Sequence, residues 1–238
     1  MKMIFQFFDN TQPHLREMKR YHILGGLMMA VILSLAILPS ATAGKPYTDP
    51  YAEYDEVDHW DLDLDDNIEI PVVSDGEKKD IRTYMKRMLD NLTKRNYLVE
   101  LDRNDEVLVI SLPCDELFQP NDTLLWEERA VRILDPLKPL LEDPDLFKVV
   151  FSVNSDNTGS SIYNMSLTDA RKNSMYEWFD TNADPELIVV PYSMGDTDPL
   201  EPNDTRAGRA ANRRVDVYFI PGPKMIELSH NKKLLKKN

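Results

Sequence analysis

The stretch Phe151–Arg171, "FSVNSDNTGSSIYNMSLTDAR", decides how the rest of the chain is read. It opens as the end of an apolar strand and breaks at Asp156-Asn157-Thr158-Gly159, a run of turn-forming residues. It then continues into a helix that carries an arginine among apolar neighbours. Arg171 stands one turn before Met175 and two turns before Phe179, so the three share one helix face. A guanidinium on the core-facing side has to find an acceptor. Two readings stand at this point. In one, Arg171 is part of an internal ion pair, with Asp156 or another carboxylate as structural partner. In the other, Arg171 and Asp156 are the two halves of a small zwitterion-binding pocket.

Working outward, the near-continuous apolar run "LFKVVFSV" (Leu146–Val153) reads as a central strand covered on both faces. The helix that follows is expected over "SLTDARKNSMYEWFDT", with Ser166 and Asp169 fitting a capping box and Thr168 as a rival cap. Downstream come a strand, "ELIVVPYSMG", a short polar helix or turn, "DTRAGRAANRR", and a final strand, "VDVYFIP". Upstream, "EKKDIRTYMKRMLDNLTK" spaces Ile81, Tyr84, Met85, Met88 and Leu92 at helical intervals. "YLVELDRNDEVLVISLP" reads as a hairpin turning at Arg103-Asn104-Asp105. "WEERAVRILDPLKPLLED" is a helix made irregular by Pro136 and Pro139. Helices and strands alternate, which predicts helices packed on one sheet.

The 238 residues carry a net charge of −13, which argues against nucleic acid as a partner. Lys19-Arg20, the apolar "HILGGLMMAVILSLAIL" and Ala41-Thr42-Ala43 follow the order of a cleaved secretory signal. The first 43 residues are therefore expected to leave, with Met18 a candidate true start. Four basic and two acidic side chains would go with them, leaving a mature charge of −15. The signal is expected to carry the chain beyond the cytoplasmic membrane. Residues 44–75 are dense in Asp, Glu and Tyr and are expected to form a disordered acidic arm, dispensable for folding. Asp61, Asp63 and Asp65 alternate as in an EF-hand loop, but Asp66 replaces the turn glycine and Val72 the bidentate Glu, so no metal is expected. Residues 76–107 form a helix-and-hairpin lead-in, and 222–238 a basic, solvated tail with a possible contact to anionic wall polymer or lipid headgroups. The lone cysteine, Cys114, excludes an internal disulfide and reads as a buried small hydrophobe.

The motifs carry a family resemblance. Asp156-Asn157-Thr158-Gly159 followed by Asn164, Leu167, Thr168 and Arg171 resembles the T-D-x-x-G, N, L-S-x-x-R-A pattern of the OmpA-like peptidoglycan-binding domain. "GDTDPLEPNDTRAGRAANRRVDVYF" (Gly195–Phe219) resembles that family's G-x-x-x-P…N-x-T…G-R-A-x-N-R-R-V element. "LFQPNDTLL" resembles the F-x-x-N-S/D segment before its first helix. The resemblance spans residues 108–221. It implies an α+β two-layer sandwich, a mixed sheet with helices packed on one face. It also implies a site that grips the peptide stem of peptidoglycan at diaminopimelate. Matched position by position, the implied ligand-binding residues are Asn121, Asp156, Thr158, Asn164, Arg171 and Arg213. The chain departs from the pattern at Asn154-Ser155 before the Asp and at Lys172 after the helix arginine. The length after the signal is too short for a preceding eight-stranded membrane barrel, and no lipobox cysteine is seen.

These features predict a non-catalytic module that anchors an exported envelope protein to peptidoglycan, with no cofactor. Wall hydrolysis would call for a histidine, metal or paired-carboxylate constellation. The four histidines, His14, His22, His59 and His230, lie in the signal region or in irregular ends, which makes zinc improbable. The alternative is an envelope adaptor whose acidic 44–75 arm recruits a protein partner. Of the Arg213-Arg214 pair, one is expected to brace the helix–strand corner.

Overall fold

A computed structural model of the chain describes residues 47–52 and 58–236; the signal expected over residues 1–43 lies outside them. In chain order the helices are α1 (Leu64–Asn67), α2 (Asp75–Thr93), α3 (Cys114–Leu117), α4 (Glu127–Leu134), α5 (Ser161–Asn182), α6 (Arg206–Asn212) and α7 (Pro223–His230). The strands are β1 (Leu98–Asp102), β2 (Val107–Pro113), β3 (Phe147–Asn154), β4 (Val189–Gly195) and β5 (Arg214–Pro221). No helix among the described residues is long and apolar enough to cross a membrane.

Strand β3 is buried along its whole length. It pairs antiparallel with β5 and parallel with β4, in a sheet of order β1-β2-β5-β3-β4. The parallel β3–β4 pair needs a crossover, and α5 supplies it. Pro191, which cannot donate to a ladder, is tolerated because β4 is an edge strand. The β1–β2 hairpin turns through Arg103, Asn104 and Asp105, all at positive φ. The result is the expected α+β arrangement, a mixed sheet with helices on it. Alternation sorts side chains to two faces. Phe147, Val149, Phe151 and Val153 of β3 join Ile81, Met85 and Met88 of α2 and Met175 and Phe179 of α5 in the main core. Val150, with Val107, Val109, Val190 and Ile220, faces the other way.

Four expectations change here. First, α5 begins at Ser161, well before Ser166. Ser160 is its N-cap, its Oγ accepting from Tyr163 N at 3.2 Å. The Ser166 hydroxyl instead donates to the Ile162 carbonyl inside the helix, at 2.9 Å. Gly159, at φ +98, completes the turn that lets the helix start so early. Second, the described part of the 44–75 arm is packed. Asp58 and Asp63 act as N-caps rather than as solvating charges. Leu64, Ile68 and Ile70 close over the second sheet face, and Tyr47 and Tyr51 pack on the main core. Tyr192 donates to the carbonyls of Leu62 (2.8 Å) and Asp63 (2.9 Å). Third, the 76–107 lead-in belongs to the same sheet and core as residues 108–221. Fourth, the tail is not simply solvated. Met225, Ile226 and Leu234 are buried, and Ser229 Oγ donates to Glu77 O on α2 at 3.1 Å.

The arm is therefore a strap, and removing it uncovers valine-rich sheet. Ile68 is 4% exposed. Ile68→Ala is expected to cost about 2–4 kcal/mol in urea denaturation, and a chain beginning at Gly76 is expected to lose more. An unchanged midpoint in both would show that the strap contributes nothing to the folded state.

Candidate ligand-binding site

The C-terminal ends of β2, β3 and β4 and the start of β5 meet at one end of the sheet: Pro113 faces Arg214, Val153 faces Val215 and Asn154 faces Gly195. That geometry brings α3, the 155–160 turn and the α6–β5 corner together. Gly208 allows α6 to approach its preceding loop, since a Cβ there would lie 2.0 Å from Pro202 O. Asn212 then clamps the loop. Its Oδ1 accepts from Glu201 N at 2.8 Å, and its Nδ2 donates to Glu201 O at 2.7 Å and Asn203 Oδ1 at 2.9 Å. Asn157 N donates to the same Asn203 Oδ1 at 3.3 Å, so the clamp reaches the turn after β3.

Asp156 is 6% exposed. Its Oδ1 accepts from Thr158 N at 2.7 Å, and its Oδ2 accepts from Arg213 Nη1 at 2.5 Å. Burial alone would raise the Asp156 carboxyl. The bonds from Thr158 and Arg213 outweigh it and hold the group below its ordinary 3.8. Asn164, also buried, donates to the Asp156 carbonyl at 3.1 Å and so ties the turn to the first half of α5. Arg213 makes a two-pronged contact with Asp115, Nε to Oδ1 at 2.9 Å and Nη2 to Oδ2 at 2.6 Å. Asp115 is in turn held below the ordinary carboxylate range, first by its bonds to Arg213 and against the opposing effect of burial, with the nearby Arg171 adding and Asp156 opposing. The four charged groups are thus one electrostatic cluster.

Arg171 lies in the buried row Asn164, Thr168, Arg171, Met175 and Phe179 of α5, as the spacing predicts. It is 5% exposed. Its Nε donates to Asp122 O at 2.9 Å and its Nη2 to Gln119 O at 3.4 Å, and its guanidinium lies 4.8 Å from the centre of the Phe118 ring. Among the described residues it makes no ion pair. The reading of an internal pair between Arg171 and Asp156 does not hold: the partner of Asp156 is Arg213. Asn121, at φ 60, sits in the turn those carbonyls belong to, and its Oδ1 accepts from Tyr163 Oη at 3.3 Å. Of the six residues the resemblance implies, Thr158 and Asn121 are exposed, Arg213 is half-buried, and Asn164, Asp156 and Arg171 are buried. A shallow groove lined by Ile162, Met165, Asp169 and Ser193 contains none of these six residues.

Arg214 is the bracing member of the arginine pair. It points into the second face, with Nε on Asp216 Oδ2 at 2.8 Å and Nη2 on Asp198 Oδ2 at 3.1 Å. Cys114 is fully buried, and burial pushes its thiol up to about 12. Asp115 is the charged residue that sequence reasoning missed. No local pattern marked it, because its partner Arg213 lies 98 residues away in the chain.

Asp156 and Asp115 have folded values below their ordinary ones, so the unfolded chain takes up protons first as pH falls. Their stabilisation is present above about pH 4 and disappears as pH drops through the depressed folded values. Asp156→Asn is expected to destabilise most at neutral pH, with the gap to the parent closing below pH 4 in thermal melts. A gap independent of pH would show that the carboxylate charge contributes nothing.

No family model matches the chain. It is 30% identical over 90 residues to outer membrane protein A of Bordetella avium, covering 37% of this chain and 46% of that protein. It is 34% identical over 73 residues to the outer-membrane lipoprotein YfiB of Pseudomonas aeruginosa, covering 31% and 44%. The chain thus spans less than half the length of these two relatives. Among solved structures, it superposes on a MotB-like protein from Desulfovibrio vulgaris with a TM-score of 0.52 at 21% identity, covering 61% of this chain and 95% of that one. The mixed five-stranded sheet with its flanking helices is an OmpA-like fold, and the stretches matched in these relatives support an OmpA-like domain in the chain.

Proposed function

We propose that the domain binds peptidoglycan without catalysis, gripping the free end of a diaminopimelate residue in the stem peptide and so tethering an exported envelope protein to the wall. The observation that carries this reading is Arg171, a buried guanidinium whose hydrogen bonds go to neutral groups, the Asp122 and Gln119 carbonyls and the Cys114 thiol, and to no carboxylate among the described residues. A buried cation without a counter-charge is costly. A ligand carboxylate supplies that charge through a bidentate contact that lysine cannot imitate. The free end of diaminopimelate also carries an ammonium on the same carbon. Asp156, with one oxygen bonded to the Thr158 amide and the other to Arg213, keeps acceptor capacity for it. Asn121, exposed in the turn whose carbonyls hold Arg171, offers a further polar contact, and Asn164 supports Asp156 from below through its carbonyl. The two sequence relatives are by name outer-membrane proteins, which supports a place in the envelope.

The test is co-sedimentation of the purified protein with sacculi, with soluble meso-diaminopimelate as competitor. Removing one partner of a desolvated charge pair costs about 2–5 kcal/mol, which is roughly thirtyfold or more in affinity. Arg171→Ala and Asp156→Ala are each expected to abolish pelleting while still melting cooperatively, with Arg171→Lys nearly as damaging and the double variant little worse than either. Folded single variants that pellet like the parent would falsify the placement of the site.

A further inference from the structure

Arg213 is not free to choose its partner. Asp115 occupies Nε and Nη2, leaving Nη1 directed at Asp156. The backbone enforces this: Cys114 N donates to Arg213 O at 2.9 Å, and the next pair in register is Pro113 opposite Arg214. The β2–β5 ladder therefore sets the Asp115 backbone beside Arg213. It has no other ion-pair partner among the described residues. Its side chain is 54% exposed, against 29% for Arg213 and 8% for Asp156, so it closes the cluster from the solvent side.

We propose that Asp115 is a positioning residue that sets the ligand specificity of this site, by holding Arg213 on Asp156 and away from the ligand. The inference rests on the wall-binding reading above. With Asp115 present, Asp115 and Asp156 balance Arg171 and Arg213, and the cluster is neutral. A neutral cluster with one open cation and one open anion suits a zwitterion. A ligand bearing carboxylates but no amine gains at Arg171 and is repelled at Asp156. Without Asp115 the cluster carries one excess positive charge. Arg213 then has one free edge, Nε and Nη2, and can swing toward a ligand carboxylate, which favours plain dicarboxylates and leaves Asp156 less well fixed for an ammonium. Asp115 itself does not need to touch the ligand. Its effect passes through Arg213, and its signature is a change in selectivity rather than a uniform loss of binding.

The experiment compares meso-diaminopimelate with pimelate, the same seven-carbon diacid without its amines, by NMR titration of the parent, Asp115→Asn and Asp115→Glu. The parent is expected to prefer diaminopimelate. In Asp115→Asn that preference is expected to fall by about tenfold, through weaker diaminopimelate and stronger pimelate binding together. Asp115→Glu, which restores the charge, is expected to keep most of the preference. If Asp115→Asn does not melt cooperatively, Asp115→Ser serves as the neutral variant. A neutral variant with the parent's ratio, or with both ligands weakened equally, overturns the proposal while leaving the wall-binding reading intact. A parent that binds neither ligand overturns that reading, and this proposal with it.

Discussion

Much of the molecule's chemistry converges on the guanidinium of Arg213. It joins α3, which follows β2, to the turn that follows β3, across the end of the sheet where β5 begins. A planar fork with fixed donor directions can hold two carboxylates in one geometry, whereas a lysine would act as a point charge. The adjacent Arg214 turns to the opposite side of the strand, as successive strand residues do. There it anchors a buried network: Asp216 accepts from Arg214 Nε and, at 2.6 Å, from Ser111 Oγ. Burial pushes the Asp216 carboxyl up despite these partners. One dipeptide thus fastens both faces of the sheet at the end where the proposed site lies. Because Arg213 bridges Asp115 and Asp156, Arg171 is left as the cation with no direct carboxylate contact among the described residues.

How much of this could be read from the sequence depended on how local the signal was. The face of α5 was legible because four-residue spacing is a property of one helix, and Arg171, Met175 and Phe179 are buried together as that spacing requires. The central strand and the Arg103–Asp105 turn were legible for the same reason. The start of α5 was misread because Ser166-x-x-Asp169 fits a capping box, whereas Ser160, with Tyr163 at the matching position, shows no such box and caps the helix after the turn at Gly159. The Arg213–Asp156 and Arg213–Asp115 pairs bridge residues far apart in the chain. No local pattern reports on such pairs, so the partner of Asp156 was left open and Asp115 went unnoticed.

The strap was misread because composition hides position. It is dense in acids, yet Leu64, Ile68 and Ile70 are placed to meet an apolar sheet face, while Asp65 faces outward to pair with Arg103 at 3.0 Å. That face is not uniformly apolar. Lys148 on β3 is 8% exposed, and burial pushes its amine down to about 8. His59 lies close enough to be depressed by burial first and by Lys148 second. In the tail, basic residues masked a Met225-Ile226 pair that is fully inside.

The central claim is that one end of this sheet holds an anion receptor and a cation receptor side by side. The most direct measurement is a crystal structure of the protein soaked with meso-diaminopimelate. The account predicts a ligand carboxylate on the Arg171 guanidinium and the neighbouring ammonium on Asp156, with Arg213 still bound to Asp115. A ligand seated elsewhere, or an Arg171 that keeps only its neutral protein partners at saturating ligand, would contradict it.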